Sequence, residues 1–109
     1  MKPDRPPTEF EQAVYQIVRN IPAGKVTTYG NIAKRLQRGS ARSVGTALAR
    51  NPFAPEVPCH RVVRANGNLG GFHGETEGPR LDEKQRLLES EGVSFPSTHR
   101  ASPAAILPL

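Results

Sequence analysis

Apolar residues recur near the start of this chain at the spacing of one helix face. Phe10, Val14, Ile17, Val18 and Ile21 form a single stripe, and that period predicts an amphipathic helix. Thr8-Glu9-Phe10-Glu11 precedes it with capping-box chemistry, Thr8 as N-cap and Glu11 reaching back. Pro22 and Gly24 end the helix. Lys25-Val26-Thr27 is a short extended piece, and Thr28 caps a second helix over Tyr29 to Leu36 with Ile32, Ala33 and Leu36 inward. Gln37-Arg38-Gly39 is a turn. Ser40 caps a third helix running to about Arg50, with Ala41, Val44 and Leu48 on its buried side. Two short helices joined by a tight glycine-containing turn are the helix-turn-helix pattern. Asn51-Pro52 closes the third helix, since Asn tolerates the left-handed conformation and Pro cannot continue.

The pattern then changes. Phe53 to Pro58 is a proline-rich connector in which Pro58 holds Val57 extended. Arg61 to Ala65 is β-like, Asn66-Gly67 is a two-residue hairpin signal, and Asn68-Leu69 begins a return strand. These make a small wing. Gly70-Gly71-Phe72-His73-Gly74 matches no phosphate-loop fingerprint, and reads as backbone that approaches a ligand or another segment closely. A fourth helix spans about Leu81 to Glu91, with Leu87 and Leu88 apolar, Lys84 and Arg86 solvated, and Gly92-Val93 closing it in a Schellman motif. The expected fold is mainly α: a winged helix-turn-helix, made of a three-helix bundle, a small β wing and a C-terminal helix. Residues 1–7 read as a flexible arm, 8–93 as one domain, and 94–109 as an irregular tail, partly docked through Ile106 and Leu107.

Composition narrows the classes. The length of 109 residues fits one domain. No apolar run is long enough to span a membrane. A lone cysteine excludes an internal disulfide and fits a reducing compartment, so a cytoplasmic location is expected, or a nuclear one in a eukaryote. Net charge is +5, and the positive residues cluster: Lys34, Arg35, Arg38, Arg42, Arg50, Arg61 and Arg64 face only Glu56 in that stretch. This is the footprint of a polyanion-binding surface. The outer face of the third helix carries Arg42, Ser43, Thr46 and Arg50, types suited to a phosphate backbone.

The candidate chemistry sits at Pro58-Cys59-His60-Arg61-Val62. Thiolate is a strong nucleophile, and neighbouring imidazole and guanidinium groups favour it. Buried inert cysteine is the competing reading. Adjacent strand residues point to opposite faces, so His60 can serve Cys59 only through a backbone bend or a bridging water. Glu91 is a candidate to orient His60, in the manner of a nucleophile–base–orienter triad; a solvated surface glutamate is the alternative. Cys59, His60, His73 and His99 lack zinc-site spacing, so no metal or other cofactor is expected.

With these motifs, the chain resembles the C-terminal, DNA-binding and active-site domain of the methylated-DNA–protein-cysteine methyltransferases (O6-alkylguanine-DNA alkyltransferases). The resemblance runs from about Phe10 to Val93. Its most specific piece is Pro58-Cys59-His60-Arg61-Val62-Val63. Gly24 to Tyr29, Ala41 to Gly45, Arg50-Asn51-Pro52, Gly67 to Gly71 and Leu87 to Gly92 support it in the same order.

The resemblance implies irreversible, single-turnover transfer of an alkyl group from the O6 atom of guanine to Cys59, with His60 taking the proton through water and Glu91 holding His60. The partner is double-stranded DNA carrying alkylated guanine, bound through the minor groove by a monomer, with the lesion base flipped out. Arg42 fills the gap in the stack, and Tyr29 helps rotate the nucleotide and contacts the base. Asn51 braces the turn before the active site. The carbonyls of Cys59 and Val62 face the guanine amino group, and Phe72 with the His73 backbone walls the pocket. His73 stands where the family usually has Ser, and Phe72 where Tyr is frequent. The N-terminal domain of most members has no counterpart here. Alkyltransferase-like proteins, which bind such lesions without repairing them, commonly replace the cysteine by Trp, so Cys59 favours a transferase. A lesion-flagging module and a winged-helix regulator using Cys59 as a redox sensor remain the competing functions.

Overall fold

The computed structural model describes residues 6–53, 56–70 and 78–109. Helix α1 spans Glu9–Arg19 and starts with the expected capping box: the Thr8 N–H donates to Glu11 Oε1 at 2.9 Å, and the Glu11 N–H to Thr8 Oγ1 at 3.1 Å. After it come β1 (Thr27–Thr28), α2 (Tyr29–Leu36) and α3 (Ala41–Ala49). Thr28 caps α2 through the Asn31 N–H. Ser40 and Ser43 cap α3 reciprocally. Gln37 takes the left-handed conformation (φ 56°) to leave α2. At Gly39 (φ 75°) a Cβ would lie 2.7 Å from the Phe10 ring, so only glycine lets the α2–α3 turn sit down on α1.

Val14, Val18, Ile21, Ile32, Val44 and Leu48 make a dry core between α1, α2 and α3. Tyr15 crosses it, its hydroxyl donating to Ala47 O at 2.6 Å. A second core surrounds Val26, Val63, Leu69, Leu81, Leu88 and Val93. The two meet at β2 (Val62–Val63). Successive strand residues face opposite sides, so Val62 enters the first core and Val63 the second. Helix α4 spans Pro79–Ser90 and ends as expected, with the Gly92 N–H on Glu89 O and the Val93 N–H on Leu88 O, both at 3.0 Å.

Three expectations need correction. The strands do not form a hairpin wing. β2 pairs in parallel with β1, Thr27 opposite Val62 and Thr28 opposite Val63. The turn at 64–67 does close, through Arg64 N–H to Asn68 O and Gly67 N–H to Arg64 O, both 2.8 Å. Its return arm, however, bonds the C-terminal tail: Leu69 N–H to His99 O, Ala101 N–H to Gly67 O, and an antiparallel bridge from Asn68 to Arg100.

Lys84 is not solvated; it is fully buried. Asn51 is not left-handed, since Gln37 and His99 are the only non-glycine residues with positive φ among those described. Helix α3 ends instead on Arg50 (φ −94°), and the Asn51 side chain bonds the connector that follows.

The tail follows an irregular path but completes the second core. Ala101 and Ala105 are buried. Val26 donates to Ala105 O at 2.9 Å, and Leu107 to Val26 O at 2.7 Å. Residues 1–5 of the expected arm lie outside the described residues, as do Phe72 and His73.

Candidate active site and nucleic-acid face

Cys59 opens a 3-10 turn, Cys59–Arg61, directly before β2. Pro58 (φ −79°, ψ 72°) sits in an inverse γ-turn, with the Cys59 N–H on Val57 O at 2.8 Å. The Arg61 N–H then bonds Pro58 O, and the Val62 N–H bonds Cys59 O. This is the bend that a straight strand would have denied to Cys59 and His60. Asn51 holds the approach: its Nδ2 donates to Val57 O at 2.9 Å, and its Oδ1 accepts from the Phe53 N–H at 2.9 Å. The cysteine is half-buried, resting on the first core, and is not in a disulfide.

His60 is buried, with Nε2 3.0 Å from Glu91 Oε2. Glu91 also receives Arg61 Nε at 3.0 Å on Oε1 and Arg61 Nη2 at 2.7 Å on Oε2. Such a two-pronged guanidinium–carboxylate pair fixes the plane of the carboxylate. The remaining Arg61 nitrogen, Nη1, donates to Ile21 O at 2.7 Å. Arg61 thus ties the end of α1 to the end of α4 and is not part of an open basic face. Gly24 (φ 90°) lets this corner close, since a Cβ there would stand 3.0 Å from Glu91 O.

Burial tends to raise the Glu91 pKa, but the hydrogen bonds from Arg61 and His60 outweigh it and hold the carboxyl below its ordinary value. For His60, burial dominates and lowers the pKa; the Glu91 hydrogen bond and charge oppose it, while Arg61 and Lys84 push the same way as burial. The imidazole is therefore neutral near pH 7. A carboxylate only accepts, so the His60 proton sits on Nε2 and Nδ1 keeps the basic lone pair.

Lys84 lies beneath the turn. Its Nζ donates to Val62 O at 2.8 Å and Leu69 O at 2.7 Å, and stands 3.5 Å from the Tyr29 hydroxyl and 5.9 Å from the Tyr29 ring centroid. Burial lowers its pKa to about 7, with the nearby Cys59 charge opposing. Tyr29 is half-buried at the start of α2. A Cβ on Gly70 (φ 77°) would lie 3.0 Å from its hydroxyl, so the glycine loop begins by pressing its backbone on this ring. Val62 O and Cys59 O thus already accept one bond each, from Lys84 and from the Val62 N–H; a carbonyl oxygen has a second lone pair for a ligand.

The expected DNA-facing residues share α3 but differ in freedom. Arg42 is exposed and makes no ion pair among the described residues. The Ser43 hydroxyl is engaged with Ser40, and Thr46 Oγ1 donates to Arg42 O at 3.1 Å. Arg50 leans to Glu11, Nη1 to Oε2 3.6 Å, across an open groove of about 420 Å³ between α1 and α3. Among the described residues no cluster of His, Cys, Asp or Glu could hold a metal ion, and no helix is long and apolar enough to cross a membrane.

Sequence reasoning missed Arg61 as a brace and Lys84 as a buried amine. Lys84 had a signal: Leu81, Lys84 and Leu88 recur at i, i+3 and i+7, placing the lysine on the buried stripe of α4.

Comparison with known proteins adds three findings. A family described as 6-O-methylguanine DNA methyltransferase, DNA binding domain, matches residues 9–93. Methylated-DNA–protein-cysteine methyltransferases are similar: that of Methanothermobacter thermautotrophicus is 49% identical over 88 residues, 81% of this chain and 47% of its own, and that of Mycobacterium leprae 47% identical over 85 residues, 77% of this chain and 48% of its own. The chain spans about half the length of these curated relatives. Among solved structures, the Mycobacterium tuberculosis OGT–DNA complex superposes with a TM-score of 0.67 at 42% identity, covering 77% of this chain and 50% of that one. S. pombe Atl1, in complex with damaged DNA containing O6-carboxymethylguanine, superposes with a TM-score of 0.75 at 30% identity, covering 98% of both chains.

Proposed function

Because the chain belongs to the family of the 6-O-methylguanine DNA methyltransferase DNA-binding domain, we propose that it repairs O6-alkylguanine in duplex DNA by moving the alkyl group onto Cys59. The observation that carries this is the half-exposed Cys59 at a bend whose next residue, His60, is buried against Glu91 at 3.0 Å. Neutral His60 takes the Cys59 proton through a water. The sulfur attacks the alkyl carbon, an S–C bond forms, and the C–O6 bond breaks. Its electron pair stays on the guanine, which takes a proton. Cys59 is consumed, so each molecule acts once. Lowering the charge cost of the imidazolium is the role of Glu91.

In this reading α2 and α3 act as a helix-turn-helix presented to the minor groove by a monomer. Arg42, exposed at the start of α3, enters the stack when the base flips out. Tyr29, set between Gly45 and Gly70, contacts the everted nucleotide. Ser43, Thr46 and Arg50 sit toward the backbone, and Asn51 keeps the Cys59 approach in place. The test is to incubate the protein with DNA containing O6-methylguanine and weigh the intact chain. Mass gain of one methyl, lost in Cys59→Ser, is expected; an unchanged mass with a folded protein overturns the proposal.

A second function has its own support. The likeness to S. pombe Atl1 covers nearly all of both chains, as it would for a lesion-binding protein that flags damage for other repair. That function gives tight binding to lesion DNA and no mass gain in the same experiment.

A further inference from the structure

The turn at 64–67 and the tail that packs on it bring together two arginines that the α2–α3 face does not use. Arg64 N–H bonds Asn68 O, and Asn68 bridges antiparallel to Arg100. Three segments therefore lie side by side, with Arg64 and Arg100 on the outer two. Hydrogen-bonded segments lie about 4.8 Å apart, which puts the two arginines roughly 10 Å apart at the backbone. The platform is firm: Asn66 Oδ1 accepts from the Asn68 N–H, Asn68 Oδ1 from the Gly70 N–H, and Gly67 O from the Ala101 N–H. At Gly67 (φ 87°) a Cβ would meet Ala101 O at 2.5 Å, so the tail is pressed directly on the turn. Arg100 comes from the tail, outside the residues 9–93 that match the family.

Both arginines are exposed, and among the described residues neither pairs with a carboxylate. Asp82, on the tail side of α4, is already engaged by His99 Nε2 at 2.8 Å. Two guanidiniums brought together without a counter-charge repel, and an anion between them relieves that. The turn also leads to the site, since Gly70 touches the Tyr29 hydroxyl region; three residues of chain reach at most about 10 Å.

We infer that Arg64 and Arg100 grip the phosphodiester backbone of the DNA strand passing Tyr29, a contact separate from the α2–α3 face. This rests on the DNA-binding reading above. The test is the salt dependence of affinity for a short unmodified duplex. Each phosphate contact contributes about 0.9 to the slope of log K against log salt. Arg64→Ala and Arg100→Ala should each lower that slope by about 0.9 and weaken binding roughly five- to tenfold near 0.1 M salt. Arg100→Lys should restore the slope, because charge carries the effect. Arg86→Ala, on the exposed face of α4, controls for loss of net charge and should leave the slope unchanged. Melting temperature reports whether each variant folds. Unchanged slopes for both arginine variants, or an equal loss in Arg86→Ala, overturn the clamp while leaving DNA binding intact. Absence of duplex binding by the wild-type protein overturns the DNA reading itself.

Discussion

Lys84→Met separates the two effects of the buried amine. Methionine keeps an unbranched apolar stem at a fully buried position. It removes the donor to Val62 O and Leu69 O. A buried acceptor left without a donor costs about 1–3 kcal/mol, so the pair amounts to about 2–6 kcal/mol against the variant. Opposing this is the cost of burying a proton. Burial lowers the Lys84 pKa from its ordinary 10.5 to about 7, the Cys59 charge opposing. The unfolded chain keeps the lysine proton up to about 10.5, while the fold releases it near 7. Between those values the unfolded state binds more protons, and stability rises with pH. From about pH 7 to about pH 9 the accumulated gain is about 2 kcal/mol. Methionine has no such term. The stability gap between wild type and Lys84→Met should therefore widen by about 2 kcal/mol over that window. Urea unfolding followed by circular dichroism at the two pH values measures it. Groups that do not interact with Lys84 cancel in the difference; His60 and Cys59 interact with its charge and do not. A gap that stays constant with pH would refute a titrating buried amine, and a gap that narrows would reverse the sign of the linkage.

Glu91→Gln keeps the shape but removes the charge that Arg61 and His60 share; it should cost about 1–3 kcal/mol of stability and slow alkyl transfer, read by single-turnover labelling beside a thermal melt. Asn51→Ala loses the bonds to Val57 O and the Phe53 N–H, which predicts a loss of about 1–2 kcal/mol and a slower Cys59 reaction, because the bend before the sulfur relaxes. Truncation after Val93 strips Ala101, Ala105 and Ile106 from the second core and leaves Val26 N–H without Ala105 O. The shortened chain should lose its cooperative melt, and a melt matching that of the full chain would show the tail to be dispensable.

The helices were legible because their signals are local. Thr8, Thr28 and Ser40 each supply a side-chain acceptor within three residues of a free N–H, and such chemistry is written in adjacent letters. The Gly92-Val93 ending is local in the same way. Strand partners are not. The Asn66-Gly67 turn is present, but whether its return arm bonds back to β2 or out to residues 99–101 depends on a tail some thirty positions later. Two residues of strand carry too little pattern to choose. Thr27–Val62 pairing in parallel likewise joins segments that share no local cue.

The site shows the same division. Cys59 and His60 stand together in the sequence, and the family pattern linked Glu91 to them. What the letters could not supply was how a strand-like segment aims a thiol and an imidazole together; the 3-10 turn after Pro58 does that. Nor could a count of positive residues say which were free. Arg61 belongs by sequence to the basic stretch, yet its guanidinium is spent on Glu91 and Ile21 O. Lys84, placed by period on the buried face, spends its charge on two carbonyls. Arg42 on α3 and Arg64 with Arg100 at the turn are, like Lys25, Lys34, Arg35 and Arg86, exposed cations that an approaching phosphate can reach without breaking an ion pair among the described residues. Net charge therefore overstates the surface open to a phosphate, and the ion pairs that hold Cys59 in place are the part to subtract.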